Sequence, residues 1–138
     1  MIVADTGAVL ALLDRDDRNH GALRAAFERD PDGWILPWAI LAEVDHIASS
    51  RLGPEVARSF RADVAVGAFV VEWGGSADLA RAVELDERHS DLHLGLVDAV
   101  VMAMAERLGA RAIATLDLRD FAAVELQGSP ELWPRDLS

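Results

Sequence analysis

Apolar residues along this chain follow two rhythms. Short apolar runs closed by a polar residue read as buried strands, and longer stretches with apolar positions every three or four residues read as helices. Ile2-Val3-Ala4 ends at Asp5 and predicts a first strand, followed by a short helix over 6–13 and a solvated connector over 14–19. Leu23 and Phe27, four apart, mark an amphipathic helix over 20–29, and Asp30-Pro31-Asp32-Gly33 is a turn. Trp34-Ile35-Leu36 predicts a second strand, with Pro37 at the start of a helix that runs from Trp38 to about Arg51 and stops at Gly53-Pro54. A further helix spans Pro54 to about Val64, and Phe69–Glu72 predicts a third strand. Ser76 opens a helix ending near Arg88. The polar stretch 89–93 then leads to a segment from Asp98 to Leu108 that is apolar on almost every side, the mark of an interior helix. Ala112-Ile113-Ala114 predicts a fourth strand and Val124-Glu125-Leu126 a fifth.

Strands alternating with helices imply an α/β fold: a central, twisted, parallel sheet of four to five strands covered on both faces through right-handed crossovers. With 138 residues, no internal repeat and no dividing linker, the expectation is a single domain over 1–138. In such sheets ligands bind beyond the carboxyl ends of the strands, where the strand order reverses. Polar residues directly after strands therefore matter more than polar residues elsewhere.

Composition narrows the chemistry. Cysteine is absent, which removes disulfides, thiolate metal sites and cysteine nucleophiles, and makes a reducing cytoplasm the expected compartment. The first residues carry no basic segment of a signal peptide, and no apolar run approaches the ~18 residues of a membrane span. All 13 basic residues are arginine, so chemistry that needs a lysine, such as a Schiff base or a Walker-A loop, is excluded. The formal net charge of −11 argues against a passive nucleic-acid-binding surface. A polyanion could be handled only with a metal ion or a basic partner to offset the carboxylates.

Four acids fall where the strand-end rule directs attention. Asp5 follows the first strand, although an Asp before Thr6 also serves as a helix cap. Glu43 shares a helix face with Ile40 and Ile47, where a carboxylate is costly unless it reaches water, a hydrogen bond or a cation. Asp98 opens the most apolar helix, and its structural alternative is again a cap. Asp117 stands just past the fourth strand, with Asp120 behind it as either a site residue or a loop cap. Carboxylates brought together repel and raise one another's pKa values. A hard divalent cation relieves that, and Mg²⁺ or Mn²⁺ in such a site can orient a phosphodiester and activate water.

These stretches, Val3-Ala4-Asp5-Thr6, Glu43 on its helix, Gly95-Leu96-Val97-Asp98-Ala99 and Thr115-Leu116-Asp117-Leu118-Arg119-Asp120-Phe121, resemble the motifs of PIN-domain ribonucleases, and within them the VapC toxins of bacterial type II toxin–antitoxin pairs. The resemblance implies a PIN-like three-layer α/β/α sandwich, Mg²⁺- or Mn²⁺-dependent endonucleolytic cleavage of RNA, a homodimer, and inhibition by a cognate antitoxin that inserts a basic side chain among the carboxylates. It makes Asp5 and Asp98 the principal metal ligands, completed by Glu43 and Asp117. Thr6 and Thr115 become orienting hydroxyls, and Asp91 a peripheral acid. Arg15, Arg18 and Arg119 are the cationic candidates for RNA contact.

Other readings compete. A catalytically inactive PIN-like module that binds RNA or protein would share the fold, but every acid is present. Phosphoacceptor domains and phosphatases also place an Asp after strand one, but both usually need a lysine. His89, Asp91, His93 and Asp98 could suggest zinc, though their spacing fits no zinc motif. Trp34, Trp38, Trp73 and Trp133 could stack on bases, but packing is the simpler expectation for most, with Trp133 placed to cover a dimer surface.

Overall fold

The computed structural model describes residues 1–138. Its sheet has five parallel strands in the order β3-β2-β1-β4-β5, with β1 Ile2–Ala4, β2 Trp34–Pro37, β3 Val70–Glu72, β4 Ala112–Ala114 and β5 Glu131–Trp133. The chain moves outward from β1 through β2 to β3, then crosses back to pair β4 against the other side of β1. Right-handed connections in both directions put helices on both faces of the sheet. The reversal lies between β1 and β4, so the crevice above their carboxyl ends is the place where this topology offers a ligand site.

The helices are α1 Thr6–Leu13, α2 His20–Arg29, α3 Trp38–Arg51, α4 Pro54–Ala65, α5 Ser76–Arg88, α6 Gly95–Leu108 and α7 Leu118–Ala123. Helix α6 is buried continuously from Ala99 to Ala105, as its all-round apolar sequence requires, and packs on β1, β2, α3 and α5. It ends at Gly109, whose φ of 60° closes the last turn in the left-handed region that glycine adopts freely. No helix of the chain is long and apolar enough to cross a membrane.

The fifth strand differs from expectation. Val124-Glu125-Leu126 is loop, although Val124 and Leu126 are buried, and the ladder to β4 is made by Glu131-Leu132-Trp133 in register with Ala112-Ile113-Ala114. An apolar pair two residues apart anchors a loop as well as a strand. What selects the later triplet is its reach: Thr115 N–H donates to Trp133 O, and Glu131 N–H to Arg111 O. Trp133 is packed within its own chain against Trp34, at 6.4 Å between ring centroids, rather than displayed for a partner. Trp38 and Trp73 are the exposed tryptophans.

Candidate metal centre and its relatives

Asp5 leaves β1 at the switch point. Its backbone N–H continues the ladder to Ala114 O, and its side chain caps α1 by accepting from Thr6 N–H at 2.8 Å. The second carboxylate oxygen accepts from the Thr115 hydroxyl at 3.0 Å. That hydroxyl in turn accepts from Asp117 N–H at 3.0 Å. One fully buried threonine at the end of β4 thus joins the acid after β1 to the acid after β4. Capping and site geometry coexist at Asp5, because a carboxylate has two oxygens.

Asp98 lies in the first turn of α6, which begins three residues earlier, at Gly95; the capping alternative therefore does not apply to it. Asp117 caps α7 by accepting from Asp120 N–H at 3.3 Å. The short helix turns the Asp120 side chain back toward the other two acids. Asp98, Asp117 and Asp120 each place a carboxylate oxygen within 4.8 Å of the others. Ligands ~2.0–2.6 Å from one hard cation can be at most ~4–5 Å apart, so the trio is spaced to share an ion. Asp120, for which the sequence leaves site and cap equally open, belongs to the cluster; the signal that points to it is its Asp-x-x-Asp spacing to Asp117, which a one-turn helix folds onto one side.

Asp5 and Glu43 stand beside this trio rather than within it. Each oxygen of Asp5 accepts one hydrogen bond, from Thr6 and from Thr115, and keeps further acceptor capacity, while Glu43 is exposed on α3 although its neighbour on the same face, Ile40, is buried. Their charges are still felt. Burial pushes the Asp98 carboxyl up to about 7, helped by Asp5, Asp117, Asp120 and Glu43. Burial likewise lifts Asp5 to about 6 against the lowering hydrogen bonds from Thr6 and Thr115, with Glu43 and Asp117 adding to the rise.

The donor set fits a divalent cation on three counts. All donors are carboxylate oxygens, the ligands of hard cations. None of the clustered acids is paired with an arginine. Asp120 Oδ1 is buried with no hydrogen-bond partner, as is Thr6 Oγ1 next to Asp5. Buried polar oxygens are rarely left unpartnered, so an ion or substrate is the natural complement.

The remaining expectations fall outside the cluster. Asp91 is exposed in a 3-10 turn over Ser90–Leu92; the His89 ring nitrogen Nδ1 sits 3.1 Å from Leu85 O and His93 is exposed, so these residues do not gather as zinc ligands. Arg15, Arg18 and Arg119 are exposed and free of ion pairs.

A doubly wound parallel sheet whose switch point carries clustered, unpaired acids defines an α/β domain with an anionic site beyond its strand ends. The class becomes a family on comparison: residues 2–126 match the PIN domain model, and the chain belongs to that family. It is 28% identical to the ribonuclease VapC26 of Mycobacterium tuberculosis over 123 residues, 89% of this chain and 91% of that one. Among solved structures, it resembles Mycobacterium tuberculosis VapC20, described as a sarcin-ricin loop cleaving toxin, with a TM-score of 0.79 at 23% identity over 93% of this chain and 98% of that one. It also resembles the DNA-bound VapBC of Salmonella typhimurium, with a TM-score of 0.71 at 14% identity and 95% of each chain covered. At those identities the structural likenesses speak for the fold.

Proposed function

We propose that this protein is a divalent-metal-dependent endoribonuclease, the toxin of a toxin–antitoxin pair held inactive by a cognate antitoxin. The observation that carries this reading is the convergence of Asp98, Asp117 and Asp120 within one ion's reach at the β1/β4 switch point, flanked by Asp5 and Glu43. The likeness to a VapC ribonuclease over most of the chain supports the RNA substrate, and the VapBC complexes among its structural relatives support an antitoxin.

Asp98, Asp117 and Asp120 would hold the cation, and Asp5, whose oxygens keep further acceptor capacity, and Glu43 would complete its coordination directly or through water. When bound, Mg²⁺ or Mn²⁺ offsets the carboxylate charge, orients the phosphodiester and polarises it toward attack by water. Thr115 keeps Asp5 and the Asp117 backbone in fixed relation. Thr6 offers an unpartnered hydroxyl beside Asp5, suited to a phosphate oxygen. The cytoplasm is the proposed compartment. A homodimer would cover Leu79 and Val83, which α5 exposes one turn apart.

The test is cleavage of single-stranded RNA with added Mg²⁺ or Mn²⁺, with EDTA, and with Asp98→Asn. Metal-dependent cuts that disappear in the variant support the reading; cleavage that survives both chelation and Asp98→Asn overturns it. Sequencing RNA ends after brief induction identifies the target.

A further inference from the structure

A groove of about 410 Å³ opens beside the acidic cluster, between the α1–α2 connector, the loop after β4 and the turn after β5. This is within the ~300–1,000 Å³ range of ligand clefts. Its wall nearest the acids is Thr115, Leu116 and Leu118, so the groove and the metal centre share the loop that carries Asp117. Leu116 and Leu118 are both exposed, an apolar pair on either side of a site acid. The opposite wall presents two guanidinium groups, Arg18 and Arg135, with Asp17 beside them.

Both arginines keep guanidinium donors free. Arg18 makes no ion pair. Arg135 is steadied by two hydrogen bonds to Asp136, from Nε and Nη2, which leaves Nη1 and its donors open. Asn19, beside Arg18, makes no side-chain capping bond to α2. Asp17 also lines the groove, but one of its oxygens accepts from Asn19 N–H. A second cleft of similar size, between α5 and α6, shows the contrast. There Arg81 is paired to Glu84 and Glu106, and Arg107 to Asp78 and Glu72, so each guanidinium meets two carboxylates, whereas Arg135 meets one and Arg18 none.

We infer that the groove is a nucleotide subsite for the RNA strand, holding the nucleotide next to the scissile phosphate. Arg18 and Arg135 receive that nucleotide's phosphate, and Leu116 and Leu118 receive the apolar face of its base or ribose. The assignment rests on the nuclease reading above. It answers a difficulty of the sequence, since a chain at −11 needs local cationic positions to bring a polyanion past its own acids. It also adds Arg135, which nothing in the sequence pattern singles out.

The experiment measures binding and cleavage of a short single-stranded RNA of mixed sequence in Mg²⁺, for the full chain and for Arg18→Gln, Arg18→Lys, Arg135→Gln and the control Arg58→Gln on the exposed surface of α4. Binding is read by fluorescence anisotropy across a salt series. Removing one arginine that binds a phosphate should lower the slope of log K against log salt by about 0.7. Arg18→Gln and Arg135→Gln are expected to raise Kd and KM about three- to tenfold, as removal of a charge-assisted hydrogen bond at a partly exposed site does, with kcat little changed. Arg18→Lys should keep the wild-type slope, and Arg58→Gln should match the wild type throughout. Unchanged Kd, KM and slope in both glutamine variants, with the wild type still cutting RNA in a metal-dependent way, overturn the subsite and leave the nuclease reading standing. So does a defect confined to binding of a protein partner, which would give the groove to the antitoxin. A wild type that neither binds nor cuts RNA overturns both.

Discussion

Asp98 is half-buried and sits among four other acids, and its raised pKa is the consequence. The sign of the effect on stability follows from linkage. Asp98 and Asp5 have folded-state values of about 7 and about 6 against 3.8 ordinarily, so the folded state holds these protons more tightly than the unfolded chain does. The associated stability is complete below the unfolded value and disappears as pH rises through the folded values. In EDTA, Asp98→Asn should therefore melt at the wild-type temperature near about pH 4 and above it near about pH 8, a comparison that thermal melting by circular dichroism makes directly. The same substitution should lower kcat/KM by at least about a hundredfold, roughly 2.7 kcal/mol at 1.36 kcal/mol per decade. Thr115→Val makes a different prediction. It removes the hydroxyl that donates to Asp5 and accepts from Asp117 N–H, stranding two polar groups at about 1–3 kcal/mol each, and Thr115→Ser should restore most of that stability. Equal melting temperatures for the Val variant and the wild type would show that the bridge carries no weight.

Among the elements, α5 and α6 are joined by ion pairs that neither helix announces alone. The Asp78 side chain is 4% exposed and is held by Arg107 at 2.7 Å, while it also accepts from Gly75 N–H at the start of α5. Arg107→Ala would leave that carboxylate buried with only the backbone bond. The expected destabilisation is about 2 kcal/mol by denaturant unfolding, less than the ~3–5 kcal/mol of a fully buried pair because Arg107 is 42% exposed on its own side. Elements also show where local patterns suffice. Helix α6 is legible because seven consecutive apolar residues have no solvated face to offer in a helix. The fifth strand is not, because Val124-Glu125-Leu126 alternates while the true strand, Glu131-Leu132-Trp133, does not, and strand identity is decided by the partner ladder. Helix α7 escapes the pattern for a related reason: six residues make too little periodicity to read, and its formation depends on the Asp117 cap and on Phe121 reaching the core.

Over the whole molecule, the net charge of −11 and the unpaired acids at the switch point are one device when a cation is present and a liability when it is absent. Ligand linkage predicts that Mg²⁺ at about a hundred times its Kd adds about 2.7 kcal/mol to folding stability. The rise in melting temperature should be larger near about pH 8 than near about pH 5, since protonated carboxylates bind metal poorly, and it should be small in Asp98→Asn. Differential scanning calorimetry with and without metal checks both; an equal rise in the variant would move the ion away from this cluster.

The order of β1 to β4 and of α1 to α6, the buried first and fourth strands and the acids that follow them are properties of the linear chain, because apolar periodicity and strand-end position are local and survive without knowledge of any partner. The membership of the cluster is not. That Asp120 joins Asp98 and Asp117, that Asp5 is held by Thr115 from 110 residues away, and that Glu43 contributes charge from an exposed position all depend on which loops the β1/β4 reversal brings together. Distances between side chains far apart in sequence are set by packing of the sheet and its helices, and only the folded molecule decides them.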